Sequence, residues 1–151
     1  MGESSVNNAD QLLDKGMENE ALAIVKELLR KVSKEKEPKL YSSVKHQEGL
    51  CYNGLALISN KEDNLFKSIH AFKEALKIRT IENHPVDYAK TQNNLGNAYR
   101  GLSEVRNMED NLTKSIHAFE EALKIYTLDK YPEKYRILKT NIDLAKKLLH
   151  S

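Results

Sequence analysis

The sequence predicts an all-α protein, an α-α superhelix (solenoid) of about seven helices stacked as antiparallel pairs. The first observation is an internal repeat: residues 62–78 return 47 positions later as residues 109–125, with 15 of 17 positions identical. Such a repeat is typical of a unit that cannot bury its apolar side alone and stacks on copies of itself. The second observation is helical spacing. Within the repeat, four apolar residues fall on one side of an α-helix, namely Leu65, Ile69, Phe72 and Leu76.

The 47-residue offset extends along most of the chain and predicts its domain organisation. Prolines recur at this offset, at Pro38, Pro85 and Pro132. We therefore expect a single domain over residues 1–151. Its parts are a truncated N-terminal repeat (6–37), two full repeats (38–84 and 85–131) and a C-terminal capping helix (132–150).

Each full repeat is expected to contain two helices. The proline suits the first turn of the first helix, because the N–H that proline lacks has no helical partner there. Strand-like alternation of apolar and polar residues is absent, so no sheet is expected. In chain order, the expected helices lie near residues 6–15, 18–35, 39–59, 63–82, 86–106, 110–129 and 133–150.

Two motifs of the second full repeat resemble a known family. Leu95-Gly96-Asn-Ala-Tyr99 is followed by Ser115-Ile-His-Ala-Phe119-Glu-Glu-Ala122. Together they resemble the tetratricopeptide repeat, which has Leu-Gly-x-x-Tyr on its first helix and Ala-x-x-x-Phe-x-x-Ala on its second. The chain differs from that pattern at two positions, where Gln92 replaces the usual Trp and Ser115 the first Ala. Its repeat is also longer than the usual length of about 34 residues, so both helices are expected to be extended.

Composition and charge exclude several classes of protein. Charged residues make up 30% of the chain with both signs mixed, and the formal net charge is +2. No apolar run reaches the roughly 18 residues of a membrane-spanning helix, and the first residues lack the apolar region of a signal peptide. These features predict a cytoplasmic protein with no membrane association. Acids nearly balance bases, which disfavours nucleic acid as a partner.

The residues that could support catalysis are few. Cys51 is the only cysteine, and it aligns with Ala98 and Ala145, which favours a packing role. His70 and His117 recur, but on different repeats, too far apart to share a metal ion whose ligands lie about 2.0–2.1 Å from it. We therefore predict a non-catalytic protein with no cofactor and no metal site.

The family resemblance implies a binding surface, because first helices of tetratricopeptide repeats line a concave groove. Asn97 directly follows Leu95 and Gly96, and the resemblance implies that it contacts a ligand. A carboxylate clamp is not supported, since Asn93 occupies the position where the clamp has lysine. The candidate partner-binding residues are Ser43, His46, Leu50 and Asn53; Lys90, Asn93, Asn97 and Arg100; and Thr140, Leu144 and Lys147.

The chemistry of these residues predicts the kind of partner. Lys90, Arg100 and Lys147 would give the groove a cationic rim around apolar points. The expected partner is therefore a peptide or helical segment of another protein, acidic and amphipathic and of unknown identity.

The last helix raises an alternative. It carries a second apolar stripe, Ile137, Leu144 and Leu148, in addition to the one expected to face the core. A helix that is apolar on two sides needs two neighbours. The second stripe could meet another copy of the chain in a homodimer, belong to the ligand surface, or pack against further repeats.

Overall fold

The computed structural model describes residues 2–151, and this part of the chain contains seven α-helices and no β-strand. The helices are α1 (Gly2–Asp14), α2 (Glu18–Lys31), α3 (Pro38–Leu55), α4 (Lys61–Leu76), α5 (Pro85–Ser103), α6 (Met108–Leu123) and α7 (Pro132–Leu149). The prediction of an all-α protein built from consecutive helix pairs is confirmed. None of these helices is both long and apolar enough to cross a lipid bilayer.

The chain divides into two compact units, with the boundary between Arg79 and Thr80. Unit 1 contains α1 to α4, in which each helix packs on the next and α1 also packs on α3. Unit 2 contains α5 to α7, in which α6 packs on both α5 and α7. The connections within a unit are short, so consecutive helices run antiparallel.

A turn before each proline fixes where the first helices begin. Before α5, His84 has φ −140° and ψ 66°, outside the helical region, because the following proline disfavours that region for the residue before it. The His84 N–H donates to the Thr80 carbonyl at 2.8 Å, and the Asn83 N–H donates to the Thr80 hydroxyl at 3.2 Å. The same turn recurs before α3 and α7, where it starts at Ser33 and Thr127.

The second helices end earlier than expected, and this turn is the reason. The sequence pattern placed them near residues 82 and 129, whereas α4 ends at Leu76 and α6 at Leu123. The residues of the turn are committed to its own hydrogen bonds and cannot continue the helix. The first helices α3 and α5 also end earlier than expected, at Leu55 and Ser103. The long repeat is therefore accommodated by its turns as well as by its helices.

An asparagine in a left-handed conformation precedes each second helix of the full repeats. Asn60 has φ 46°, and Asn107 has φ 42°. Asparagine tolerates this conformation better than most residues. The Asn64 side chain, in the first turn of α4, donates to the Ser59 carbonyl at 2.9 Å, and Asn111 makes the equivalent bond in α6. The loop between the paired helices is therefore held by the same two asparagines in both repeats.

The helices of each full repeat approach closely at a glycine. A Cβ atom at Gly96 would lie 2.6 Å from Cδ1 of Phe119, closer than any Cβ can be tolerated. The Ser115 hydroxyl donates to the Gly96 carbonyl at 2.7 Å, which explains why serine replaces the usual alanine. In unit 1, Gly49 and Phe72 repeat this contact.

Each unit has its own apolar core. In unit 1 the core joins α1, α2 and α3, and its buried residues are Ala9, Ala21, Leu22, Val25, Leu28, Val44 and Cys51. In unit 2 it joins α5, α6 and α7 through Ala89, Leu112, Ile116, Phe119, Ala122, Tyr126, Leu138, Ile142 and Ala145. Phe72 and Phe119 are both fully buried, as the repeat pattern predicts.

A hydrogen bond also joins α5 to α6. The Tyr88 hydroxyl donates to the Glu121 carboxylate at 2.5 Å. Burial, together with this bond to a carboxylate, raises the pKa of Tyr88 to about 12. The Lys124 ammonium and the Tyr88 hydroxyl both lower the pKa of Glu121.

The glycine contact predicts opposite effects of alanine at two helical glycines. We expect Gly96→Ala to destabilise the protein by about 1–2 kcal/mol, because overpacking against Phe119 exceeds the gain in helix propensity. Gly54→Ala is the matched control, since the atoms nearest to its Cβ would belong to the Glu18 side chain, with Cγ at 2.5 Å, and not to an aromatic ring. Urea denaturation should show this control to be neutral or more stable by up to about 1 kcal/mol. Equal effects of the two substitutions would contradict the packing described.

The Tyr88–Glu121 bond predicts a pH-dependent effect. Because the folded-state pKa of Tyr88 lies above the ordinary tyrosine pKa of about 10, its contribution to stability is complete below that pH and is lost as the pH rises towards about 12. We expect Tyr88→Phe to cost about 1 kcal/mol near neutral pH and to reduce the loss of stability above pH 10. Denaturation curves at about pH 8 and about pH 11 measure both effects.

Candidate interaction surface

The first helix of unit 2 carries four of the predicted binding residues. Its buried side includes Ala89 and Gly96, which face the core that α5 shares with α6. The predicted binding residues lie at other positions around the helix. Lys90 is exposed, whereas Asn97 and Arg100 are half-buried. α5 therefore presents a polar side, with two cationic positions, away from α6.

Helix α7 lies beside α5 on that polar side. The Arg100 guanidinium donates to the Asn141 side-chain oxygen at 3.1 Å, so the two helices are neighbours at this point. α7 is anchored through Leu138, Ile142 and Ala145, which are buried in the core shared with α6. Arg100 thus forms a hydrogen bond that joins α5 to α7, at a position that was predicted to lie on the cationic rim of the groove.

Three large apolar side chains of α7 are about half exposed to solvent. Ile137, Leu144 and Leu148 are 58%, 50% and 49% exposed, and we refer to them as the α7 stripe. Because a helix advances by about 100° per residue, Asn141 lies only about 40° from the middle of the stripe. The α7 stripe is therefore on the side of α7 next to α5, and it borders the predicted binding residues of that helix.

A different side of α7 is equivalent to the side of α5 that packs against α6. A further second helix, if it packed like α6, would contact this side. The residues of this side match, at the 47-residue offset, those of α5 that face α6. They are polar or charged, namely Tyr135, Lys139, Asp143 and Lys146. Asp143 is at the position equivalent to Gly96, which has no side chain and so leaves room for Phe119. A further second helix could not pack on Asp143 in the same way. This side is typical of a capping helix with a polar outer surface.

The charge of α7 is strongly positive. The helix contains five basic and two acidic residues, a net charge of +3, whereas the formal net charge of the whole chain is +2. No ion pair of these basic residues is found within residues 2–151. Lys134 instead lies 5.1 Å from the ring centroid of Tyr126. The α7 stripe is thus bordered by unneutralised positive charge, including that of Arg136 and Lys147.

The four candidates in unit 1 lie on α3. His46 is only 5% exposed, and its ring centroid is 5.4 Å from that of Phe72, so it offers almost no surface to a ligand. Ser43 accepts a hydrogen bond from Arg79 at 3.2 Å. Leu50 and Asn53 are half-buried. That these residues share one groove with those of α5 and α7 stays a prediction.

The remaining candidates lie on α5 and α7. Thr140, Leu144 and Lys147 are exposed on α7. Asn93 is half-buried, and its side-chain oxygen is buried without a hydrogen-bond partner within residues 2–151. Contact of Asn97 with a ligand stays a prediction.

The residues considered for catalysis show no catalytic arrangement. Cys51 is fully buried, and burial, helped by the charges of Glu18 and Glu48, raises the pKa of its thiol to about 12. His70 and His117 are exposed on α4 and α6. Within the described residues, no group of three or more His, Cys, Asp and Glu side chains could hold a metal ion.

One feature of unit 1 was missed by sequence reasoning. A cleft of about 520 Å³ lies among α1, α2 and the start of α3, and its apolar lining includes Ile24, Leu28 and Leu40. A second missed feature is charge, because α1 contains three acidic residues and no basic one, for a net charge of −3.

Compared with protein-family models, with curated proteins and with solved structures, the chain gave no match.

The burial of Cys51 predicts an unreactive thiol. Only about one thiol in ten thousand would be ionised near pH 8, given the raised pKa, and the thiolate is the reactive form. We expect a thiol-specific disulfide reagent to modify the folded protein very slowly and the urea-unfolded protein at once. Fast reaction of the folded protein would show that α3 opens or that Cys51 is accessible.

Proposed function

We propose that the protein is a non-catalytic protein-interaction module that binds an acidic, amphipathic segment of a partner on the α5–α7 side of unit 2. The observation that carries this proposal is the α7 stripe with the unneutralised cations around it. Ile137, Leu144 and Leu148 are about half exposed although they lie beside another helix. Exposed apolar side chains grouped in this way and rimmed by polar residues are typical of interaction sites.

Charge supports an acidic partner. Lys90 of α5 and Lys147 of α7 are exposed. An acidic segment would gain attraction from both helices, and like charge would repel basic segments. The apolar residues of such a segment would cover the α7 stripe, in the way that amphipathic helices bind apolar grooves.

The sequence resemblance to tetratricopeptide repeats supports the same proposal, because that family binds peptides on its first helices and α5 and α7 are both first helices. We extend the proposal to a cytoplasmic location of the protein.

Self-association through α7 is the alternative. The same stripe could meet its counterpart in a second copy. However, a stable interface buries about 800 Å² per partner and about 20–30 residues a side. Three half-exposed side chains supply only a fraction of that area. A symmetric contact between two α7 helices would therefore be weak, which favours the partner segment.

The proposal predicts a binding preference that fluorescence anisotropy can measure. The probe is a labelled helical peptide with leucines at helical spacing and glutamates between them. Its controls are a scrambled peptide and one with lysine for glutamate. We expect only the acidic amphipathic peptide to bind, and to bind more weakly at higher salt because the exposed charges are screened. Equal binding of all three peptides would contradict the proposed chemistry.

Substitutions locate the binding surface. We expect Leu144→Gln with Leu148→Gln to weaken peptide binding at least tenfold, about 1.4 kcal/mol. The matched control is Thr113→Gln with His117→Gln, at exposed positions of α6 with the same spacing. Asn97→Ala and Arg100→Ala test the α5 part of the surface. If neither α5 variant changes the affinity, α5 takes no part in binding.

A further inference from the structure

Arg100 is a half-buried cation whose only hydrogen-bond partner in the described chain is neutral. It forms no ion pair within residues 2–151. Its guanidinium donates to the side-chain oxygen of Asn141 at 3.1 Å, across from α5 to α7. A guanidinium carries more N–H donors than this bond uses, and a charge taken out of water is costly unless it is paired. Arg100 therefore has donors for a further group, and its charge favours an anion.

Asn141 supplies a second donor at the same place. Because its side-chain oxygen accepts the bond from Arg100, its amide nitrogen is the remaining polar end of the side chain. That nitrogen donates no hydrogen bond to any group of residues 2–151. It is attached to the same carbon as the oxygen, so it lies within a few ångström of the guanidinium. Two helices thus direct N–H groups to one position.

This position lies within the row of apolar residues on α7. Together with the α7 stripe, Asn141 completes a row at spacings of four, three and four residues, namely Ile137, Asn141, Leu144 and Leu148. Rows of this spacing pack along a second helix in coiled coils, and one polar residue in such a row selects the residue opposite it. A helix bound to the α7 stripe would therefore place one side chain against Asn141 and Arg100, with apolar side chains before and after it.

The two side chains discriminate among the residues that a partner can place there. An apolar residue would exclude water from the Arg100 charge and the Asn141 amide without supplying an acceptor, which is unfavourable. The oxygen of a glutamine would accept a hydrogen bond but leave the charge unpaired. A carboxylate meets both requirements, because its two oxygens accept from different N–H groups and charge-assisted hydrogen bonds are stronger than neutral ones.

We propose that Arg100 and Asn141 form a binding site for one carboxylate, that of an aspartate or glutamate within the apolar side of the partner helix. This inference rests on the proposed function and makes the partner more specific. The proposed function requires negative charge around the apolar residues, whereas this site requires one acidic residue in line with them. The partner helix therefore has an apolar, an acidic and a second apolar residue in one row, at spacings of three and four residues.

Two labelled helical peptides of identical composition test the proposal by fluorescence anisotropy. In the first peptide, a glutamate occupies the middle of the leucine row and a glutamine lies on the opposite side of the helix. In the second peptide these two residues are exchanged. Net charge and helix propensity are the same, so general attraction to the cations of α5 and α7 acts on both alike. We expect the first peptide to bind at least about tenfold more tightly.

Substitutions at the site should remove this preference. Arg100→Ala should reduce the ratio of the two affinities to less than about threefold, because the charge that selects the carboxylate is lost. In Asn141→Asp the new carboxylate pairs with Arg100 and repels the glutamate of the peptide, so the ratio should fall to about one or below. Aspartate has the shape of asparagine and adds an attraction between α5 and α7, so a weakened fold does not explain this result.

Lys90→Ala is the matched control for charge. It removes one positive charge from an exposed position of the same helix. We expect it to weaken the binding of both peptides to a similar extent and to leave their ratio unchanged. Far-ultraviolet circular dichroism of every variant checks that its helices are intact.

The outcomes separate this inference from the proposed function. If both peptides bind the wild-type chain equally and Leu144→Gln with Leu148→Gln weakens both, the carboxylate site is wrong and the proposed function stands. A preference that persists in Asn141→Asp, or that Lys90→Ala removes as fully as Arg100→Ala, also overturns the site. If neither peptide binds the wild-type chain, both proposals are wrong.

Discussion

The contact between a helical glycine and a buried phenylalanine ring is the constraint on which the repeat depends. At Gly96 any side chain would collide with Phe119, so the two helices can pair at this distance only if that position has no Cβ. The hydroxyl of Ser115 then reaches the glycine carbonyl, which fixes the pair along its length as well as in its separation. Gly49, Phe72 and their serine repeat the arrangement 47 residues earlier, so one solution to helix pairing is used twice.

Helix α7 departs from this constraint. It has Asp143 at the position equivalent to Gly96, where a side chain takes the space that Phe119 fills in α6. This departure leaves a polar side on α7, distinct from the side that carries the α7 stripe. The polar side and the stripe are thus two separate surfaces of one helix.

The sequence alone predicted the parts of the structure that periodicity determines. The spacing of apolar residues and the 47-residue offset located all seven helices, and the three prolines fixed the starts of α3, α5 and α7, because each proline restricts the residue before it. The ends of α4 and α6 were not predicted, because they depend on side-chain hydrogen bonds such as the one to Thr80. The burial of His46 was missed as well, because a half-polar ring beside Phe72 has no signature in a sequence.

The sequence did not show which helix the α7 stripe borders, because this depends on how α7 packs in the core of unit 2. The bond between Arg100 and Asn141 identifies that helix as α5. The distribution of charge among the helices could not be read from the net charge of the chain. In α2 and α4 lysines or arginines pair with carboxylates within one turn, as Lys67 does with Asp63 at 3.1 Å, and the charges of each helix sum to zero. In α6 Lys114 pairs with Asp110 at 3.0 Å, but four acidic residues and one basic residue leave a net charge of −3. The acids of α1 and the bases of α7 have no such partners within residues 2–151. A net charge of +2 therefore averages over two acidic helices, α1 and α6, and one basic helix, α7, and the basic residues of α7 give the α7 stripe its electrostatic character.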